Sequence, residues 1–257
     1  MTEPHYTAEQ LRLKQQYVAA RGYWRPWTEA LLRHSPEFLA AYARHGGYPA
    51  QHGPLSAMEC ELVYVALDAS STHLFASGLK LHIGLALQQG ATPEQIAAVF
   101  HLATAQGLEG SLAGATILAE ELAALGHAPT PLDDEQLRLQ QAYQEHFGDW
   151  PAACEHLLRM EPGYFASMLD FLKTGRAETA LSGRMAALLS LAMSACFTAG
   201  DREATRLHIR RALRCGASQA DILQVLQMTA HLGVHACALG MPLLEDCLAS
   251  MDSSSKA

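Results

Sequence analysis

The chain has 257 residues, 49% of them apolar and 17% charged, with a formal net charge of −8. That length suits one large domain or two small ones, and the acidic balance argues against a nucleic-acid or anionic-membrane partner. No apolar run reads as long enough to span a bilayer, and the polar start MTEPHYTAEQLRLKQQY predicts no secretory signal.

Taken in chain order, the predicted elements are helices. Thr7-x-x-Gln10 reads as a capping box ahead of LRLKQQYVAA. Ser35-Pro36 supplies an N-cap and an N1 proline for EFLAAYARHGG, with Gly46-Gly47 as its expected stop. Ser56-x-x-Glu59 opens MECELVYVALDAS, and SGLKLHIGLALQQG follows, with Ser77 as its expected cap and Gly90 just past its end. Thr92-Pro93-Glu94-Gln95 caps the next helix, and a last apolar stretch runs from about 112 to 125. No convincing strand alternation occurs, so the fold class is all-α.

The second half repeats the first. EQLRLKQQY at 9–17 returns as EQLRLQQAY at 135–143, an offset of 126. The same register pairs Gly22 with Gly148, Trp24 with Trp150, Pro36 with Pro162, LHI at 81–83 with LHI at 207–209, and Gly107 with Gly233. A constant register over both halves means tandem duplication, at a period too long for a solenoid. The expected organisation is two homologous helical domains, 1–128 and 129–257, divided near the Gly- and Pro-containing GHAPTPLDD at 126–134. Six cysteines, at 60, 154, 196, 215, 237 and 247, form no C-x-x-C and no disulfide framework, which predicts reduced thiols and a cytoplasmic chain.

The segment GLKLHIGLALQQGATPEQIAAVF, echoed by RLHIRRALRCGASQADILQVLQ, resembles the carboxymuconolactone decarboxylase family, which shares its all-helical fold with the alkyl hydroperoxidase D proteins. The resemblance covers roughly 55–125 and 181–250. The hydroperoxidase branch uses C-x-x-C-x-x-x-H; aligned on His82, its two thiol positions fall on Phe75 and Gly78, and aligned on His208 they fall on Asp201 and Ala204. Thiol-based peroxidase chemistry is therefore disfavoured. The decarboxylase branch keeps the histidine and implies a lyase that removes carbon dioxide from a small anionic, aromatic-derived lactone. It also implies homo-oligomers, here a dimer or trimer of two-domain chains. Nothing in the sequence implies an organic cofactor.

His82 is the expected acid/base, because imidazole titrates near neutrality. His73 and Glu61 are its expected partners. Their equivalents in the second half are Ala199 and Ala187, so one site is expected to be live and its copy degenerate. The competing readings are a core histidine for His82, a solvated helix-surface acid for Glu61 and, for the whole chain, a non-catalytic small-molecule-binding or assembly protein. Lys80, Ser77, His208, Arg206, Arg210 and His235 are the expected substrate-binding residues. Arg206, Arg210 and Arg214 form an i, i+4, i+8 stripe that suits either a carboxylate or a solvated face. His231 and His235 stand four apart, but no third ligand is marked by spacing, so no metal is expected.

Overall fold

A computed structural model describes residues 6–175 and 180–254. Among them every regular element is helical. The first half comprises α1 (Ala8–Arg21), α2 (Pro26–His34), α3 (Pro36–His52), α4 (Ala57–Ala69), α5 (Ala76–Gln88), α6 (Pro93–Ala105) and α7 (Leu108–Ala124). The second comprises α8 (Asp134–Phe147), α9 (Ala152–Met160), α10 (Pro162–Gly175), α11 (Gly183–Ala195), α12 (Arg202–Arg214), α13 (Gln219–Met228), a 3-10 turn (Thr229–Val234) and α14 (His235–Ser254).

Local chemistry sets the boundaries. Capping boxes start α1, α4, α6 and α13 at Thr7, Ser56, Thr92 and Ser218, each side chain accepting from the backbone N–H three residues on. Gly22, Gly90, Gly148 and Gly216 follow their helices with positive φ, a conformation glycine adopts without a Cβ clash.

Two expected boundaries are corrected. Gly46 and Gly47 do not end α3, which continues through them and Pro49 to His52. They admit the neighbouring helix instead: the Gly46 carbonyl accepts from Arg21 at 2.6 Å, and a Cβ on Gly47 would lie 3.1 Å from Ala20. Ser77 does not cap α5. That helix starts after Phe75 with no side-chain cap, and Ser77 is exposed in its first turn.

The halves interlock. One core joins α4, α5 and α6 to α11, α12 and α13 through Leu62, Val65, Leu67, Leu188, Leu191 and Val225, all inaccessible to solvent. Each half's last helix leaves its own half. Val234, Cys237, Ala238 and Met241 pack with Trp27, Leu31 and Tyr42 of α2 and α3. Reciprocally, Leu108, Leu112 and Ala115 of α7 pack with Cys154, Leu157 and Phe165 of α9 and α10. Arg184 adds a polar tie between halves, bonding the capping acids Glu59, at 2.7 Å, and Asp221.

The expectation about apolar runs is also corrected. The stretch Gln219–Met251 reaches the length and mean hydropathy, 1.3, of a membrane span. Its most apolar 18-residue window is 44% buried within the chain, and the stretch is broken by the 3-10 turn and contains Pro242, features of a core-packing segment.

Candidate functional site

The interlocking brings a helix from each half to one buried polar cluster. Its first member is the pair Glu61–His82. Glu61 is one turn into α4 and His82 lies mid-α5, and His82 Nδ1 donates to Glu61 Oε2 at 2.7 Å. His82 is 2% exposed, whereas Glu61 keeps a partly open edge. This bond fixes the tautomer and leaves the lone pair on His82 Nε2. Burial depresses the His82 pKa, the Glu61 hydrogen bond and charge oppose that shift, and Arg21 adds to it.

The His82 ring meets Tyr64, at 4.7 Å between centroids, and the edge of His231, at 5.3 Å. His231 lies in the 3-10 turn before α14. Its Nδ1 faces Arg21 Nη2 at 3.3 Å and the Tyr42 hydroxyl at 3.1 Å. Both can only donate to it usefully, so the ring proton sits on Nε2, an atom buried with no hydrogen-bond partner. Arg21 is itself held by Gly46 O and by the Tyr64 hydroxyl at 3.0 Å. Burial, then the Arg21 charge, push the His231 pKa well down.

His235 opens α14, its ring 5.0 Å from that of His231. Phe75 stacks on it at 3.9 Å, and its Nδ1 lies 2.6 Å from His73 Nε2. His73 is the partly exposed outer end of this series. It sits in the turn between α4 and α5, where Leu74 takes φ +48°, a strained value for a side chain branched beyond Cβ. His235 Nε2 reaches Asp68 Oδ1 at 3.5 Å, within ion-pair range but without hydrogen-bond geometry. Asp68 is 0% exposed, and burial, followed by the Glu61 charge, pushes its carboxyl up to about 8. Burial and the neighbouring His73 push His235 down to about 3. Near neutral pH the cluster thus holds a protonated Asp68 beside uncharged histidines.

Gly78 makes room for that carboxyl. A Cβ there would lie 2.4 Å from Asp68 Oδ2 and 2.7 Å from the Phe75 ring. The two positions aligned with the thiols of the hydroperoxidase branch, Phe75 and Gly78, therefore pack His235 and Asp68 respectively.

Asp68, His231 and His235 offer ligand-type atoms within 4.8 Å of one another. The set does not fit a cation: Nδ1 of His231 is occupied by Arg21 and Tyr42, its Nε2 carries the proton, and the guanidinium repels a second positive charge.

The expected site residues divide. Glu61, His82, His73 and His235 come together, although His73 meets His235 rather than Glu61. Lys80 does not join them. Two residues before His82, it lies about 200° round the helix on the exposed face. Ser77 also points away, among the exposed residues of α5. His208 is half-buried in the second half, 3.6 Å from Glu109 of α7. Arg206 and Arg210 line a separate open cleft on α12. The sequence pattern does not mark Asp68, Arg21 or Tyr64, and it marks His231 only as a metal-ligand candidate beside His235; a lone acid in the otherwise apolar LVYVALDA is the available signal for Asp68.

A crevice of about 10 Å³, room for roughly one water, reaches His231 between Tyr42, Gly46, Tyr64 and Met228.

The family model "Carboxymuconolactone decarboxylase family" matches residues 36–121. A solved structure described as a "putative gamma-carboxymuconolactone decarboxylase subunit" from Burkholderia xenovorans LB400 is 30% identical. It superposes with a TM-score of 0.89 over 97% of this chain and 100% of its own. No curated protein matches.

Proposed function

Because the chain belongs to the carboxymuconolactone decarboxylase family, we propose that it is a carbon–carbon lyase that decarboxylates a small anionic, aromatic-derived lactone or acid at the half-one cluster. The observation that carries this reading is the Glu61–His82 hydrogen bond, 2.7 Å, in a group with buried His231, His235 and a raised-pKa aspartic acid and with His73 at its partly exposed outer end.

Loss of carbon dioxide leaves the electron pair of the broken C–C bond on the carbon skeleton, and a proton must be delivered there. The cluster separates the two tasks. Asp68, neutral near pH 7, is the acid that supplies the proton. His82, kept neutral by burial and oriented by Glu61, accepts a hydrogen bond from the substrate through Nε2. His235 and His73 return a proton from solvent to Asp68: once Asp68 has given up its proton, His235 passes its Nε2 proton to the carboxylate, 3.5 Å away, while its Nδ1 takes the proton from His73 Nε2, and His73 is reprotonated from solvent. Arg21, next to His231, supplies positive charge for the substrate carboxylate. The crevice at His231 must widen to admit substrate, and Tyr42 and Tyr64 are the side chains that bound it.

The test is turnover of an acidic unsaturated lactone, followed by carbon dioxide release and by solvent deuterium incorporated into the product. Wild type should incorporate one deuterium per turnover, and His82→Gln should remove most turnover while keeping the helical circular dichroism. A folded His82→Gln variant with full activity refutes the assignment.

We also propose a cytoplasmic homo-oligomer of chains carrying copies 1–128 and 129–257. Support comes from apolar residues exposed at equivalent positions of α7 and α14: Ile117 and Leu243, Leu118 and Leu244, Leu125 and Met251. Light scattering should give two or three times the 27.8 kDa chain mass.

A further inference from the structure

The second half has an open cleft of about 640 Å³, within the range of small-molecule sites. Its apolar floor is Ala195, Ile209 and Leu226, and Arg202, Arg206 and Arg210 line it along α12. These arginines are spaced i, i+4, i+8, so their guanidinium groups share one face. Arg206 has one weak carboxylate neighbour, Glu203 at 3.7 Å.

The chain's internal repeat shows what made this cleft. At the offset of 126, Leu74 becomes Gly200, Leu79 becomes Thr205 and Phe100 becomes Leu226, three reductions in side-chain size. Over the same surface Ala76 becomes Arg202, Gly84 becomes Arg210 and Lys80 becomes Arg206. Ala195 and Ile209 repeat Ala69 and Ile83 unchanged. The second copy has therefore lost apolar bulk at three positions and gained two positive charges beside them. A solvated helix face needs cations but no coordinated loss of apolar bulk.

We propose that this cleft binds a small organic dianion, an apolar ring or chain bearing two carboxylates, as a site distinct from the half-one cluster. The body lies on Ile209 and Leu226, and the carboxylates engage the guanidinium forks. Thr205 also lines the cleft and keeps its hydroxyl on the Asp201 carbonyl at 2.6 Å. The assignment does not rest on the chemistry proposed for His82.

Calorimetric titration with phthalate, benzoate and benzamide at low ionic strength tests it. Phthalate should bind once per chain, benzoate several-fold more weakly and neutral benzamide weakest. Arg206→Ala/Arg210→Ala should weaken phthalate about tenfold or more. Thr205→Leu/Leu226→Phe keeps every arginine and restores the bulk of the first copy; it should weaken phthalate comparably, with circular dichroism confirming the fold. His82→Gln should bind phthalate like wild type. The proposal is overturned if phthalate gives no heat at millimolar concentration, if either double variant binds like wild type, or if His82→Gln alone abolishes binding.

Discussion

The two copies of the α4–α5 unit hold the same framework and different chemistry. In each, a histidine on the second helix, His82 or His208, lies near an acid. In each, a residue from the opposite half's last helix enters the group: His235 in the first copy, Glu109 in the second, and these two are equivalent in the repeat. Where the first copy has Glu61, Asp68, His73 and His231, the second has Ala187, Ser194, Ala199 and Ala105. There Glu109 accepts from Ser194 and stands 3.6 Å from His208. Each copy has a histidine–acid contact between halves, His235–Asp68 in the first and His208–Glu109 in the second. Proton transfer needs several titratable groups with separated affinities, and only the first copy has them.

The largest effect should come from His82. His82→Gln should lower kcat by about a hundredfold or more, and His208→Gln should leave it within about twofold; the ratio measures how unequal the copies are. Glu61→Gln, which keeps a hydrogen-bond acceptor but not the charge, should fall between them and narrow the pH profile.

Asp68 gives the next contrast, read from stability as well as rate. Its folded-state pKa, about 8, lies above the unfolded value near 3.8, so between those values the folded state binds the extra proton. Raising the pH through that window therefore removes stability, up to ~1.4 kcal/mol per unit. Asp68→Asn should melt above wild type at pH 7 to 8, with the difference shrinking toward pH 4. The depressed histidines act oppositely: His73, His82, His231 and His235 bind protons more readily when unfolded, so acidification below about 6.5 destabilises the fold. Asp68→Asn should steepen that acid loss, because it removes the opposing contribution. Melting curves from pH 4 to 8 check both signs.

A smaller effect tests steric fit. Gly78→Ala should cost ~1–3 kcal/mol, because its Cβ meets the Asp68 carboxyl. The second copy has Ala204 and Ser194 at these positions, so Asp68→Ser in the Gly78→Ala background should recover stability although activity stays lost. A denaturant-melt double-mutant cycle reads the coupling; additive effects would separate Gly78 from Asp68.

The smallest effect belongs to the outer end of the relay. His73→Ala should lower turnover by about tenfold or less and be partly rescued by added imidazole, a response that a packing role would not give.

Much of this was legible because capping and periodicity are local. The capping boxes at Thr7, Ser56, Thr92 and Ser218 form as their residue types demand. The inequality of the halves was visible at Glu61 and His73. What escaped was non-local. Arg21 and Tyr64 read as ordinary helix residues until α14 places His231 against them, more than two hundred positions beyond Arg21. Gly46 and Gly47 read as a stop because a terminus and a close helix crossing make the same demand for a missing Cβ. Lys80 and Ser77 lie only two and five positions before His82 on one helix, enough to turn both away from it.

The exchange of α7 and α14 between halves has a consequence for how the chain is made. The surface that α1–α3 present to α14 is completed by residues emerging some two hundred positions later. At ordinary elongation rates that leaves Trp27, Leu31 and Tyr42 waiting on the order of 10–40 s for their cover. The nascent chain thus has a long interval in which a holdase would find its apolar target, and α14 acts as a clasp that closes only after it has emerged.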